Sequence, residues 1–403
     1  MANRTYKAFL PTLLVAIVTF APIARGAVKI WSITPILLAE AAMILIWFLK
    51  IVNVEKYQLK KTSADMPILL LALLSVISFS FSRYKYESLY ELIKLFGYIG
   101  VYYIVINEFN YRTKRLLRNF LISFGAGLSA YGLLQYFGIF SHPWWVPKDF
   151  LAATYVNHNH FAGYLELIIP LAVATFMAAR PRLAARLALS VALVVMASAF
   201  VLTQSRGAWI SLSVSLFVMA ILLGRDKSRR ARTVLTLLLL AASILSFIYF
   251  SKDLISQRLE PVTTAASDEA SFATRIAIWK GTIRMIRDHP IIGTGIGTFI
   301  SVFPRYRPEG LNVIANFAHN DYLNVAAEIG IPALLVMIWL LIMAIRSGLK
   351  RGTNDTVKLG CAIGILSLSL HSLVDFNFHI PANMLLFTIY VAFIMSGRAH
   401  AKE

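Results

Sequence analysis

The residues best suited to chemistry in this sequence lie in the stretch Phe317-Ala-His-Asn-Asp-Tyr-Leu-Asn-Val-Ala-Ala-Glu-Ile-Gly330. His319 offers an imidazole able to take a proton near neutral pH. Asn320 or Asp321 is placed to cap the helix that follows. Asp321, Asn324 and Glu328 are three and four apart, so a helix puts them on one face, pointing into the protein. There they serve either a site or as polar glue between helices. Cationic partners stand in three other places. Arg206 lies in Thr203-Gln-Ser-Arg-Gly207, a link between two apolar runs too short to be anything but a hairpin. It either joins a site or snorkels to lipid headgroups. Arg275 precedes Trp279 by one turn on a helix expected from about Phe272 to Asp288 and ended by His289-Pro290. Arg83 and Lys85 follow the third apolar run in Phe81-Ser-Arg-Tyr-Lys-Tyr86, and Asp375-Phe-Asn-Phe-His379 joins the last two runs, with Asp375 and His379 at one level.

Arginines beside a histidine suit an anionic lipid substrate. A lipid diphosphate is a good leaving group whose departing charge must be neutralised, and arginine or a metal ion can do this. The sequence favours arginine: it shows no DxD-type carboxylate pair in this region, and Asp268-Glu269 is isolated. His158 and His160, in Asn157-His-Asn-His-Phe-Ala-Gly163, diverge by roughly 200° on a helix. They could share a metal only in an extended segment, and no acidic cluster supports one. Neither a metal nor a cofactor is therefore expected. Gly293-Thr-Gly-Ile-Gly-Thr-Phe299 superficially follows a dinucleotide fingerprint, but no strand precedes it, and a tight glycine turn is the better reading. No P-loop pattern occurs anywhere.

The elements that must position these residues are apolar helices. The chain has 403 residues, 58% of them hydrophobic and only 15% charged, with a mean hydropathy of +0.68. Soluble domains carry roughly a quarter charged residues, so this composition excludes a soluble enzyme and a disordered chain alike. The expected class is all-α: a polytopic membrane protein of about twelve transmembrane helices, each needing about 20 apolar residues. The apolar runs centre near Val15, Leu38, Leu71, Ile99, Gly127, Ile169, Val194, Val214, Leu240, Val336, Ile365 and Phe387. The first reads as an uncleaved signal anchor.

The net charge is +19, from 39 Lys and Arg against 20 Asp and Glu. Most of the basic residues fall in alternate short loops, such as Lys56, Lys60 and Lys61, or Arg112, Lys114, Arg115 and Arg118, which argues against nucleic acid as partner. The positive-inside rule places those loops and both termini in the cytoplasm. The chain then divides into spans one to nine over 1–250, a long external loop with an amphipathic helix over 251–320, and spans ten to twelve with the cytoplasmic C-terminus over 321–403. On that amphipathic helix Lys280, Arg284 and Arg287 form a basic stripe, facing headgroups or water, and Ile276, Trp279, Ile283 and Ile286 an apolar one. The helix is expected to lie along the membrane surface, with Arg275 on the protein side and in need of an anion. Cys361 is the only cysteine, so no intramolecular disulfide can form.

Three segments together resemble the O-antigen ligase and O-antigen polymerase superfamily. They are Leu202-Thr-Gln-Ser-Arg-Gly-Ala-Trp209; Arg275-Ile-Ala-Ile-Trp279 with His289-Pro-Ile-Ile-Gly-Thr-Gly295; and His319-Asn-Asp-Tyr-Leu with Glu328-Ile-Gly330. Each is loose alone; their order and spacing around a long loop make the combination specific, over roughly 157–383. The resemblance implies a metal-independent, inverting membrane glycosyltransferase with a C-type fold in a bacterial inner membrane. It implies an undecaprenyl-diphosphate-linked glycan as donor, a lipid A–core sugar as acceptor, and a site facing the periplasm. It further implies that Arg206 and Arg275 hold the diphosphate and that His319 activates or orients the acceptor hydroxyl. Arg83, with Lys85 nearby, would add to phosphate binding, and Asn320 and Tyr322 would line the substrate site. The resemblance leaves ligase and polymerase open, and a transporter for an anionic lipid or sugar is the rival from another class.

Overall fold

The computed structural model describes residues 2–140, 142, 150–178, 183–224, 272–352 and 355–397, and isolated positions between 234 and 249. Among the described residues the secondary structure is helical, without a β-strand. The main helices are α1 (Ala2–Ile23), α2 (Ile30–Asn53), α3 (Asp65–Phe81), α4 (Lys85–Glu108), α5 (Tyr111–Tyr136), α6 (His158–Ala178), α7 (Leu183–Leu202) and α8 (Arg206–Gly224). They continue with α9 (Phe272–Asp288), the single turn α10 (Phe299–Val302), α11 (Asp321–Glu328), α12 (Ile331–Gly352), α13 (Thr356–His371) and α14 (Pro381–Met395). Every apolar run centre read from the sequence falls within one of these helices except Leu240. That position, the stretch from Glu260 to Ser271 with Asp268-Glu269, and the basic cluster from Arg225 to Arg232 lie outside the described residues.

Six of the described helices are long and apolar enough to cross a membrane: α2, α4, α6, α7, α8 and α12. Shorter apolar helices occupy Phe9–Ile23, Asp65–Phe81, Thr356–His371 and Pro381–Met395. The chain is therefore a polytopic helical membrane protein.

Burial divides the helices by role. The apolar length of α6 is almost wholly enclosed, and α13 and α14 are buried along most of theirs. By contrast α2, α7 and α12 expose large apolar side chains, among them Leu38, Phe48, Val194, Leu335 and Trp339, as lipid-facing helices do. A close approach in the core joins α6 and α13. Gly360 and Gly364 stand one turn apart on α13, and a Cβ on Gly360 would sit 2.9 Å from the Leu171 Cα and the Pro170 carbonyl oxygen. Two glycines four apart let helix backbones meet in a membrane, where packing rather than hydrophobicity drives association. This contact places Glu166 of α6 beside His371 at the end of α13.

A second, smaller core lies on the side of the polar loops around α9 and α11. It joins Ile278 and Met285 of α9 with Phe299, Phe303, Leu311 and Ala318. The glycine turn after α9 is a packing device, as its sequence suggests. Gly293 adopts φ +72°, and a Cβ there would lie 2.2 Å from the Glu328 backbone. The turn docks on the end of α11 through Thr294 N–H to the Ala327 carbonyl at 3.1 Å and Gly295 N–H to that of Glu328 at 2.9 Å. Glu328 Oε1 in turn accepts from the Phe299 N–H at 2.8 Å.

On α9, Lys280, Arg284 and Arg287 are exposed as expected, and of the apolar stripe Ile283 is exposed while Ile276, Trp279 and Ile286 are half-buried. The face packed on the protein is Thr274, Ile278, Gly281, Thr282 and Met285. Gly281 lets the helix settle on Phe303 and Tyr306, while Ile278 and Met285 enter the second core.

Filling the α6–α13 contact tests this account. Gly360→Val is expected to cost about 1–3 kcal/mol of stability through overpacking, read as a lower unfolding temperature of the detergent-purified protein.

Candidate functional site

Two loops and the helix α9 meet at the carboxylate of Asp375. The hairpin carrying it leaves α13, passes a 3₁₀ turn over Asn377–His379 and enters α14 at Pro381. From α9, Arg275 donates through Nη1 to the Val374 carbonyl at 2.6 Å, and its Nη2 lies 3.8 Å from Asp375 Oδ2. From the loop before α11, His319 Nδ1 lies 3.9 Å from Asp375 Oδ1. The side chains of Arg275 and His319 are 15% and 13% exposed, against 2% for Asp375. The site therefore has a buried anion at its base and two partly exposed groups above it.

Local sequence dictates how each arm is held. Asn320 Oδ1 caps α11 by accepting from the Tyr322 and Leu323 N–H groups at 3.0 Å. Its amide also donates to the Leu373 carbonyl at 2.8 Å, tying α11 to the Asp375 hairpin. His319, just before the cap, is held at φ 49°, a left-handed conformation uncommon outside glycine. Strain of this kind persists only where the surroundings fix it. Here Trp279 Nε1 donates to the Ala318 carbonyl at 2.9 Å, and Asn324 Oδ1 accepts the Ala318 N–H at 2.9 Å. Gln204, in the hairpin that presents Arg206, is also left-handed, at φ 53°.

Aromatic rings wall the site. Phe376 takes His319 edge-on at 4.8 Å and His160 edge-on at 4.9 Å, and stacks on Phe317 at 4.7 Å. Both His160 ring nitrogens and the Arg275 Nε are buried with no hydrogen-bond partner among the described residues. Beside this set, Asp321 supports the hairpin through its oxygens, which take His379 Nδ1 at 2.6 Å and the Phe378 N–H at 3.0 Å.

The electrostatics follow from this packing. Burial alone would raise the Asp375 carboxyl, but Arg275, with His371, His160 and His319, holds it below its ordinary value. Burial pushes His319 below its ordinary 6.5; Asp375 opposes this and Arg275 reinforces it. For His379 burial acts downward as well, but the hydrogen bond and charge of Asp321 outweigh it and raise the imidazole. His319 is thus held toward its neutral form, with Nδ1 buried and unbonded among the described residues and 3.9 Å from the Asp375 carboxylate.

The expected site residues divide accordingly. Arg275 and His319 come together at Asp375. Arg206 begins α8, and its neighbour Gly207 lies against the Asp375 hairpin: a Cβ there would stand 2.9 Å from His371 Cδ2 and Val374 Cγ2. Arg83 is exposed on the turn between α3 and α4, and that turn packs through Ser82 against Gly295. The ammonium of Lys85 is committed to the end of α3, donating to the Phe79 and Ser80 carbonyls at 2.8 Å each. Asn320 is occupied as a cap, and Tyr322 donates to the Ser369 carbonyl at 2.8 Å, so both do structural work. Asn324 and Glu328 each accept a backbone N–H, from Ala318 and Phe299, as polar glue would. His158 and His160 do diverge: His158 Nδ1 meets the Thr203 carbonyl at 2.6 Å, whereas His160 faces Phe376.

Sequence reasoning missed Glu166 and His371. The available signals were a lone carboxylate inside an apolar run, a functional pointer by default in a membrane, and the i,i+4 spacing of His371 and Asp375.

The fold and site define a polytopic membrane protein with a histidine–arginine–carboxylate cluster at one end of its helices. Residues 191–338 match a family model described as O-antigen ligase. The match bears out the resemblance to that superfamily and contains Arg206, Arg275 and His319, whereas Glu166, His371 and Asp375 come from outside it. A search of curated proteins gives no match.

The imidazole can be titrated directly. In wild-type protein the His319 midpoint is expected below 6.5. Because the Asp375 carboxylate favours the imidazolium, Asp375→Asn should move the midpoint lower still, as read by NMR of histidine-labelled protein in detergent.

Proposed function

We propose that the protein is an O-antigen ligase, transferring glycan from undecaprenyl diphosphate to a sugar hydroxyl of lipid A–core at the periplasmic face of the inner membrane. The observation that carries this reading is the juxtaposition of Arg275 and His319 on the buried carboxylate of Asp375, with the α8 terminus that bears Arg206 packed alongside. His319 Nδ1 faces Asp375, so the opposite ring nitrogen, Nε2, takes the proton of the acceptor hydroxyl. The hydroxyl oxygen attacks the anomeric carbon from the face away from the diphosphate, and the bond to the diphosphate oxygen breaks with its electron pair. Configuration inverts. Arg275 and Arg206 neutralise the charge that develops on the leaving diphosphate, where preformed donors are most effective. Arg275 fits this part because its Nε has no hydrogen-bond partner among the described residues.

The charge pattern of the loops supports cytoplasmic termini, about twelve spans and a site facing the periplasm, where an already energised lipid-linked donor suffices. A polymerase that joins repeat units on the carrier would use the same groups. A ligase-deletion strain accumulates long carrier-linked glycan, whereas a polymerase-deletion strain makes core bearing a single repeat.

His319→Asn is the sharpest variant, since asparagine tolerates a left-handed backbone while removing the base. It is expected to lower transfer from purified lipid-diphosphate glycan by roughly 10²–10⁴-fold and to abolish lipopolysaccharide laddering in cells, with the melting temperature unchanged. His319→Ala should likewise lose the ladder. Unaltered ladders in folded protein would remove His319 from the reaction.

A further inference from the structure

Behind Asp375 the polar groups continue into the helical core, through residues that the transfer step above does not use. Glu166 is fully buried in α6. Its Oε1 accepts from the Ser211 hydroxyl of α8 and from the Ser367 hydroxyl of α13, the latter at 2.6 Å. Its Oε2 lies 2.6 Å from His371 Nδ1. The other ring nitrogen of His371, Nε2, faces Asp375 Oδ2 at 3.9 Å. Asn377 Nδ2 approaches His371 Nδ1 at 3.2 Å. The ring fits because residue 207 is a glycine: a Cβ there would stand 2.9 Å from His371 Cδ2 and 3.1 Å from Nε2.

A carboxyl group and an imidazole inside an apolar core are costly, and well-packed hydrophobic side chains of the same volume usually serve stability as well or better. Packing alone therefore does not call for this pair. Its geometry does give it a task. One end of the His371 ring is anchored on α6, and the other stands behind the carboxylate that meets both Arg275 and His319. One edge of the ring also supports the start of α8, from which Arg206 projects.

We infer that Glu166 and His371 are positioning residues for the site: Glu166 fixes the His371 ring, and His371 holds Asp375 and the α8 terminus in register with Arg275, His319 and Arg206. Neither residue touches the reacting atoms. The kinetic consequence rests on the transfer reading given above, but the effect on Asp375 and His319 does not. The charged and titratable groups that face Asp375 are Arg275 from α9, His319 from the loop before α11, His371 from α13 and His160 from α6. Asp321 of α11 also acts on His319.

The test uses full-length protein in detergent, as wild type, Glu166→Gln and His371→Asn, with two readouts. The first is steady-state transfer from undecaprenyl-diphosphate-linked glycan, and the second is the NMR titration of His319, which needs no substrate. Expected are a fall in kcat of roughly 10- to 100-fold, the scale of a misplacement near 1 Å, with KM little changed, and a displaced His319 midpoint in both variants. Glu166→Gln, which keeps an acceptor for the two serines, should be milder than Glu166→Ala. Unchanged kcat and midpoint in folded variants would overturn the inference. So would lost activity that follows a lowered melting temperature while the His319 midpoint stays put, since that marks a merely structural pair. If wild-type protein transfers no lipid-linked glycan, the functional reading fails, and the His319 midpoint alone still decides the positioning role.

Discussion

The site depends on one buried carboxylate. Asp375 is enclosed where water cannot solvate its charge, and an unpaired charge in such a place is strongly unfavourable. Arg275 from α9 and the Phe376 N–H, 2.8 Å from Oδ1, meet that demand, with His319, His371 and His160 close by. Remove the anion, and the Arg275 guanidinium is left without its counter-charge. The carboxylate therefore joins elements that are far apart in the chain.

Strain and close packing do the remaining work of placement. His319 adopts a left-handed backbone immediately before the Asn320 cap, and bonds from Trp279 and Asn324 to the two backbone groups of Ala318 hold the approach to it. The helices beneath are brought together by small residues: Gly360 and Gly364 bring α13 onto α6, and Gly207 admits the His371 ring. In a lipid environment such contacts replace the hydrophobic drive that would organise a soluble core. The apolar exterior of α2, α7 and α12 then needs no protein partner, because lipid covers it.

The same arrangement separates polar residues whose bonds are made within the protein from those that stand open at the Asp375 cluster. Asn324 and Glu328 share the buried face of α11, yet each binds a backbone N–H and has a local structural task. Lys85 caps a helix. Arg275, by contrast, keeps a buried Nε without a hydrogen-bond acceptor among the described residues.

The sequence by itself determined the helical membrane class, because a chain with so few charges has no polar surface to offer water. It determined where α9 ends, since His289-Pro290 stops the helix, and it marked Arg206 and His319 beside apolar runs and Arg275 on the amphipathic helix. It could not reveal the face on which α9 packs, because Thr274, Gly281 and Thr282 on that face carry little apolar signal. Nor could it show that Asp375, rather than the nearer Asp321, is the anion for His319, since Asp321 is drawn off by His379. The link from Glu166 to His371 was equally hidden. Those residues are 205 positions apart, and only the packing of α6 on α13 turns two isolated polar side chains into one hydrogen-bonded pair.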